Sequence, residues 1–331
     1  MEAPGALVLA AGLGTRLMPL TERLAKPAVP FLGRPLIHYA LSLLYRGGIR
    51  RVTVNLHHRQ ETVRQAVESW RLPDVELNYS MEPAILGTGG AFRKAAQHLS
   101  GSDFFVVING KIYFEQALEP IMAQHLQSGA WVTLVVVPHS GKEPFNPVLL
   151  DPLGRVEGFA LRSQLKDFSN AYTYTGLQIV SRKVLSMIPS GFSDTVGDIY
   201  PDLIVDGRRI SAFVSDGFWS ECSTPRRYLE STLLVAARGV LTEAVIYDAQ
   251  VNVVAGSNSR IAPDARLSRV IAWDEVRIGS RSVIRNSIIC HGCNIPAGTR
   301  LENVVVTPAD PSRELSPGTE ELGDCLVWPL E

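Results

Sequence analysis

The chain has 331 residues, 46% of them hydrophobic and 20% charged, with a formal net charge of −1. This is the composition of a globular protein with room for a substantial core and two structural units. So small a net charge excludes recognition of nucleic acid or an anionic membrane by bulk electrostatics, and an anionic ligand must be held by local groups. Four cysteines do not make a disulfide scaffold at this length. The N-terminus lacks a basic region followed by a long apolar core, and no apolar run is long enough for a membrane span, so the expected compartment is the cytoplasm.

Ala6 to Ala11 reads as a buried strand that runs into a loop containing Gly12 and Gly14. Pro35 to Tyr45 carries apolar residues at helical spacing, with Pro35 in the first turn and Gly47-Gly48 as the stop. Strand patterns then alternate with helical ones: Val52–Leu56, Glu61–Trp70, Val75–Tyr79, Gly90–Leu99, Phe104–Ile108, Gln116–Gln127 and Val132–Val137. This alternation predicts a Rossmann-like α/β fold, a mostly parallel sheet covered on both faces, with ligands bound beyond the carboxyl ends of the strands. Gly12 and Asn109 fall at such ends. From Asn146 to Val180 the pattern changes to short strands, read as an insertion that walls the site. Pro225 to Arg238 predicts a closing helix, and Gly239 marks a boundary between domains 1–238 and 239–331. Beyond it, Ile261–Leu267, Ile278–Val283 and Ile295–Leu301 place aliphatics about every six residues. Such a repeat suits a β-helix, in which each coil buries its aliphatics against the next.

The opening loop carries the first chemical signal. Glycines let backbone N–H groups approach phosphate oxygens, Arg16 offers a planar fork, and Lys26 adds a compact charge. The stretch is not a Walker A loop, because no Gly-Lys-Ser/Thr follows at the required spacing, and Leu17 stands where a dinucleotide fingerprint has its third glycine. The whole string, Gly12-x-Gly14-Thr15-Arg16-x-x-Pro19-Leu20-Thr21…Lys26-Pro27, resembles the signature of the sugar-1-phosphate nucleotidyltransferases, or NDP-sugar pyrophosphorylases. Leu86-Gly87-Thr88-Gly89-Gly90-Ala91 is similar to that family's base-recognition segment, and the C-terminal repeat resembles the hexapeptide repeat of a left-handed β-helix.

The resemblance implies roles by position. Ala10, Ala11, Gly12, Gly14, Thr15, Arg16, Glu82, Gly87, Thr88 and Gly89 are the implied nucleotide-binding residues. Asn109, Gly110, Asn146, Thr175 and Gly176 are the implied sugar-binding residues. Arg16 and Lys26 are the implied catalytic cations, Lys111 is a third catalytic candidate at a position where the chain departs from the family, and Glu221 is the implied ligand of a magnesium ion. The chain departs from the family at two acidic positions. Phe104-Phe-Val-Val-Ile-Asn-Gly ends in Lys111 where the family has an aspartate, and Trp219-Ser-Glu221-Cys-Ser-Thr-Pro225 has Glu221 in place of the other. An ammonium cannot ligate magnesium. Three readings follow: Glu221 and triphosphate oxygens hold the metal while Lys111 neutralises the leaving pyrophosphate; the Lys111 ammonium stands where the metal would and pairs with Glu221; or the site binds nucleotide and turns over slowly or not at all.

The expected reaction is attack by a sugar 1-phosphate oxygen on the α-phosphorus of a nucleoside triphosphate, giving an NDP-sugar and pyrophosphate. The resemblance is nearest to branches that use mannose-, heptose- or muramic-acid-type phosphates, with GTP favoured and UTP open. The alternative is a sugar-nucleotide-binding regulatory homologue with little or no activity. The expected partners are these two substrates, with no nucleic acid or membrane, and a homo-oligomer formed through the β-helix. Cys290-His291-Gly292-Cys293 has no second ligand pair for a structural zinc site and reads as a coil corner.

Overall fold

The computed structural model describes residues 3–70, 73–99, 101–141, 143–242, 245–309 and 317–330. Contacts divide the chain into two compact units, Met1–Gly12 with Ile37–Ser220, and Leu13–Leu36 with Glu221–Glu331. No helix among the described residues is long and apolar enough to cross a membrane.

In the first unit nine strands form one sheet. β1 (Ala6–Leu9), β2 (Arg51–Leu56), β3 (Glu76–Met81) and β4 (Phe104–Asn109) are parallel, with β1 between β2 and β4 and β3 outside β2. Parallel neighbours need crossovers, which are supplied by α1 (Ile37–Arg46), α2 (Gln60–Ser69) and α3 (Gly87–Ala95). All four strands therefore deliver their carboxyl ends to one side. After α4 (Glu119–Ser128) come β5 (Val132–Pro138), β6 (Val148–Leu150), β7 (Val156–Phe159), β8 (Ala171–Ser181) and β9 (Ile210–Val214). Here β8 runs antiparallel to β4, β5 and β6, so the sheet is mixed, with its parallel part at the nucleotide signature. The core gathers Leu7, Phe105, Val107, Leu134, Val136 and Val180 from the strands with Phe92 and Tyr200 from the covering helical segments. Phe92 and Phe105 meet edge to face at 5.6 Å.

One boundary differs from expectation. Helix α3 starts at Gly87, not near Gly90, so the glycine-rich segment is the first turn of a helix instead of a loop. A tertiary contact overrides the poor helix propensity of glycine. The Gly89 amide donates to the Ser193 carbonyl at 2.9 Å. A Cβ at Gly87 would stand 2.3 Å from that carbonyl oxygen, and one at Gly90 would stand 2.6 Å from the carbonyl oxygen of Gly191.

The second unit contains the helix Pro225–Ala237, whose first turn is capped by Thr224 Oγ1 accepting from the Arg227 amide at 3.3 Å. Beyond it lies a parallel β-helix. Val253 pairs with Val270 and Val270 with Ser287; Ile261 pairs with Ile278 and Ile278 with Ile295. Each partner is 17 residues further on, which fixes the coil length. The corners repeat at the same interval: Asn252, Arg269, Asn286 and Asn303 all have left-handed backbones, with φ between 46° and 56°. Asparagine is among the few side chains that tolerate this region. Asn258, Glu275 and Gly292 form a second such column. The Cys290–Cys293 stretch therefore turns a coil corner at Gly292, with both cysteines buried, and no group of three or more metal-capable side chains occurs among the described residues.

His125 of α4 ties fold stability to pH. It is buried, Thr133 Oγ1 lies 2.8 Å from its Nδ1, and burial lowers its pKa from 6.5 to about 4. Its imidazole stays neutral in the fold, whereas the unfolded chain takes up a proton below 6.5. Stability contributed by the neutral ring is thus complete above pH 6.5 and is lost as pH falls towards 4, by roughly 3 kcal/mol in all. Urea midpoints between pH 4 and 7 should show this slope, and His125→Gln should flatten it. An unchanged slope in the variant would assign the acid sensitivity elsewhere.

Candidate active site

In the first unit three of the four parallel strands, β1, β3 and β4, end in residues that the sequence singled out. After β1, Ala10 and Ala11 are buried while Gly12 is exposed, with open space where its Cβ would be. After β4, the Gly110 amide donates to the Leu9 carbonyl at 2.9 Å, so Lys111 emerges beside the end of β1. After β3 comes Glu82, which is 5% exposed. Its carboxylate is held on both oxygens: Asn55 Nδ2 donates to Oε1 at 2.7 Å and the Leu86 amide to Oε2 at 3.2 Å. Asn55 Oδ1 accepts from the Ala10 amide at 2.6 Å. One buried side chain at the end of β2 thus joins the loop after β1 to the segment before α3.

Sequence reasoning did not find Asn55. Its signal was a single amide in the otherwise apolar strand end Val52-Thr-Val-Asn-Leu56. The segment Gly191–Asp194 was also missed. Thr88 Oγ1 donates to Asp194 Oδ2 at 3.0 Å and accepts from the Thr195 amide at 2.8 Å. Asp194 in turn caps the helical turn Thr195–Ile199. All three glycines of the expected base segment, Gly87, Gly89 and Gly90, serve this long-range approach, and no local pattern announces it.

The expected sugar-binding residues divide. Asn109 and Gly176 are brought together: Gly176 has φ +88, and a Cβ there would stand 2.3 Å from the Asn109 amide nitrogen. Thr175 is 1% exposed, and its hydroxyl donates to the Val135 carbonyl at 2.8 Å, filling the register shift between β8 and β5. Its own carbonyl accepts from Trp219 Nε1 at 2.8 Å. Asn146 is exposed, and its Oδ1 accepts from the Arg162 amide at 3.1 Å. Phe145, next to it, meets Trp219 edge to face at 5.7 Å.

In the second unit the signature loop turns on Gly14, at φ 70°, whose missing Cβ makes room for Thr21 and for the Lys26 stem, 3.2 and 3.3 Å from that position. Thr21 Oγ1 donates to the Gly14 carbonyl at 3.0 Å. Leu17 is fully buried and anchors the turn Thr15–Leu17, while Thr15 and Arg16 are exposed. Lys26 is 8% exposed, and its Nζ lies 3.5 Å from Glu221 Oε1. Arg227 Nε donates to the Glu221 carbonyl at 3.2 Å and lies 3.9 Å from its Oε2. A groove of about 320 Å³ in this unit is lined by Pro19, Leu20, Leu24, Trp273 and Pro308 among others, and none of the expected site residues lines it.

The family model described as “Nucleotidyl transferase” matches residues 5–238. The chain belongs to the nucleotidyl transferase family. A GlmU-like, C-terminal hexapeptide model matches residues 230–304. A UTP–glucose-1-phosphate uridylyltransferase of Synechocystis sp. is 27% identical over 98% of this chain and 87% of its own. A mannose-1-phosphate guanylyltransferase of Mycobacterium tuberculosis is 28% identical over 84% of this chain and 82% of its own. The crystal structure of HddC from Yersinia pseudotuberculosis complexed with GMP-PN shares the fold, with a TM-score of 0.60 at 21% identity over 70% of this chain and all of that one.

The resemblance implies a magnesium ion, whose implied ligand is already engaged by cations. Glu221, the implied ligand, faces an ammonium at 3.5 Å and a guanidinium at 3.9 Å. Unit charges 4 Å apart interact by about 4 kcal/mol at an effective dielectric constant near 20, so a dication at that distance from either cation would meet repulsion of about 8 kcal/mol. Lys111 brings a further positive charge to the other implied position, in place of an oxygen ligand. Glu221, paired in this way, does not fit a resident divalent ion.

Proposed function

We propose that this nucleotidyl transferase moves a nucleoside monophosphate from a triphosphate to a sugar 1-phosphate and releases pyrophosphate, with GTP favoured and UTP the second choice. The observation that carries the reading is the retained loop Gly14-Thr15-Arg16…Lys26, with Lys26 buried and held and Arg16 exposed, in a chain whose relatives are named for this chemistry. The guanine preference rests on the Leu86–Ala91 string and on the guanylyltransferase among those relatives.

The nucleophile is already a phosphate anion, so no general base is required, and catalysis consists of alignment and charge neutralisation. Arg16 grips phosphate oxygens through its fork, Lys26 supplies a fixed charge, and Lys111 neutralises the departing pyrophosphate. Ala10, Ala11, Gly12, Gly14 and Thr15 offer backbone to the nucleotide. Glu82, with Gly87, Thr88 and Gly89, shapes the base-reading segment. Asn109, Gly110 and Gly176 form the floor for the sugar, with Asn146 and Thr175 beside it. The triphosphate enters as its magnesium salt. Further parts of the proposal are the division into domains 1–238 and 239–331, a left-handed coil sense, assembly of copies through the β-helix, and a cytoplasmic site of action.

A panel of triphosphates and sugar 1-phosphates tests the reading. Pyrophosphate should appear in step with an NDP-sugar, fastest with GTP and a mannose- or heptose-type phosphate. Tight nucleotide binding without pyrophosphate from any pair would favour the regulatory homologue instead.

A further inference from the structure

We propose that Glu221 is a positioning residue for the phosphate-binding ammonium of Lys26, and that the nucleotide-free protein holds no metal ion on it. The inference rests on the reading of the Gly14–Lys26 loop as the phosphate clasp. A buried ammonium is costly unless it is paired. Lys26 is fixed at both ends: its stem packs against Gly14, its carbonyl accepts from the Val29 amide at 3.2 Å, and its Nζ faces Glu221. Glu221 is fixed in turn, because Arg227 donates to its carbonyl and faces its second carboxylate oxygen. Arg227 is itself set by the Thr224 cap at the start of the helix Pro225–Ala237. The chain of contacts runs from helix cap to guanidinium to carboxylate to ammonium, and the ammonium is the charge offered to phosphate. A glutamate suits this link because its extra methylene extends the carboxylate towards the Lys26 head, which is a demand on reach and not on coordination geometry.

The test separates the two roles of a carboxylate. Manganese binding to nucleotide-free protein is followed by electron paramagnetic resonance in the wild type and in Glu221→Gln. Equilibrium affinity for a fluorescent triphosphate is titrated alongside. The wild type should bind no manganese at millimolar concentration. Glu221→Gln should weaken the triphosphate about tenfold, the loss expected when a charge-assisted partner is removed, with affinity for the sugar phosphate unchanged. Stoichiometric manganese in the wild type that glutamine removes would overturn the proposal, as would unchanged triphosphate affinity in a folded variant. If Glu221→Gln does not fold, Glu221→Asp keeps the charge on a shorter arm and should weaken the triphosphate severalfold; full affinity there would equally overturn it. Because binding is read without turnover, a chain that binds and does not react fails the catalytic reading while leaving this inference standing or falling by itself.

Discussion

Arg16→Ala is expected to lower kcat/KM for the triphosphate by about a hundred- to a thousandfold, the range seen when one preorganised charge-stabilising donor is removed. The thermal transition should not move. Arg16 is exposed, and its guanidinium makes no hydrogen bond among the described residues, so the fold does not depend on it. Its backbone is nevertheless fixed, because Leu17 beside it is fully buried and the Leu17 amide donates to the Gly14 carbonyl at 2.9 Å. That combination, a held Cα carrying an uncommitted head group, is what a phosphate-gripping residue requires. Arg16→Lys keeps the charge and loses the two-pronged geometry, so it should recover only part of the rate. Steady-state kinetics with varied triphosphate, alongside differential scanning calorimetry, gives both readouts. Turnover unchanged in Arg16→Ala would remove Arg16 from the mechanism.

Much of the fold was legible in the sequence. Buried parallel strands write themselves as short apolar runs, and Phe104–Ile108 or Val52–Leu56 have few other uses. The opening loop stands out in the sequence because its chemistry-bearing residues are local: glycine, arginine and lysine lie within fifteen residues of one another. The β-helix was legible from its aliphatic spacing, although the 17-residue coil and its columns of left-handed corner residues needed the register. What was not legible depends on partners distant in sequence. Gly87 and Gly90 look like a flexible loop until the 191–193 backbone is seen against them. At Thr175 no local pattern shows that its hydroxyl donates to the Val135 carbonyl at a sheet irregularity. At Glu221 no local pattern shows that Lys26, 195 positions earlier, stands opposite it. In each case the residue type was read correctly as polar or permissive, and the partner it serves was out of sight.

Asn55 shows the same limit with the greatest consequence for stability. Asn55→Leu should cost about 3 kcal/mol or more, because it strands two buried groups, the Ala10 amide and the Glu82 carboxylate, each worth roughly 1–3 kcal/mol when left unsatisfied. Denaturant unfolding measures this directly. Nucleotide affinity should fall with it, since the loop after β1 and the segment before α3 lose their common tether. Asn55→Asp makes a sharper case. The Ala10 amide keeps an acceptor, but two carboxylates now face each other across the 2.7 Å contact that Asn55 Nδ2 makes with Glu82. They must share a proton, so one of them is held above its unfolded pKa, and the folded variant binds more protons than the unfolded chain. The stability gap between Asn55→Asp and wild type should therefore be widest at neutral pH and narrow as pH falls through the carboxylate range. The His125 titration acts equally on both proteins and cancels in the difference. A gap that does not change with pH would mean that Glu82 and residue 55 do not interact through this bond, and the tether between the two loops would have to be sought elsewhere.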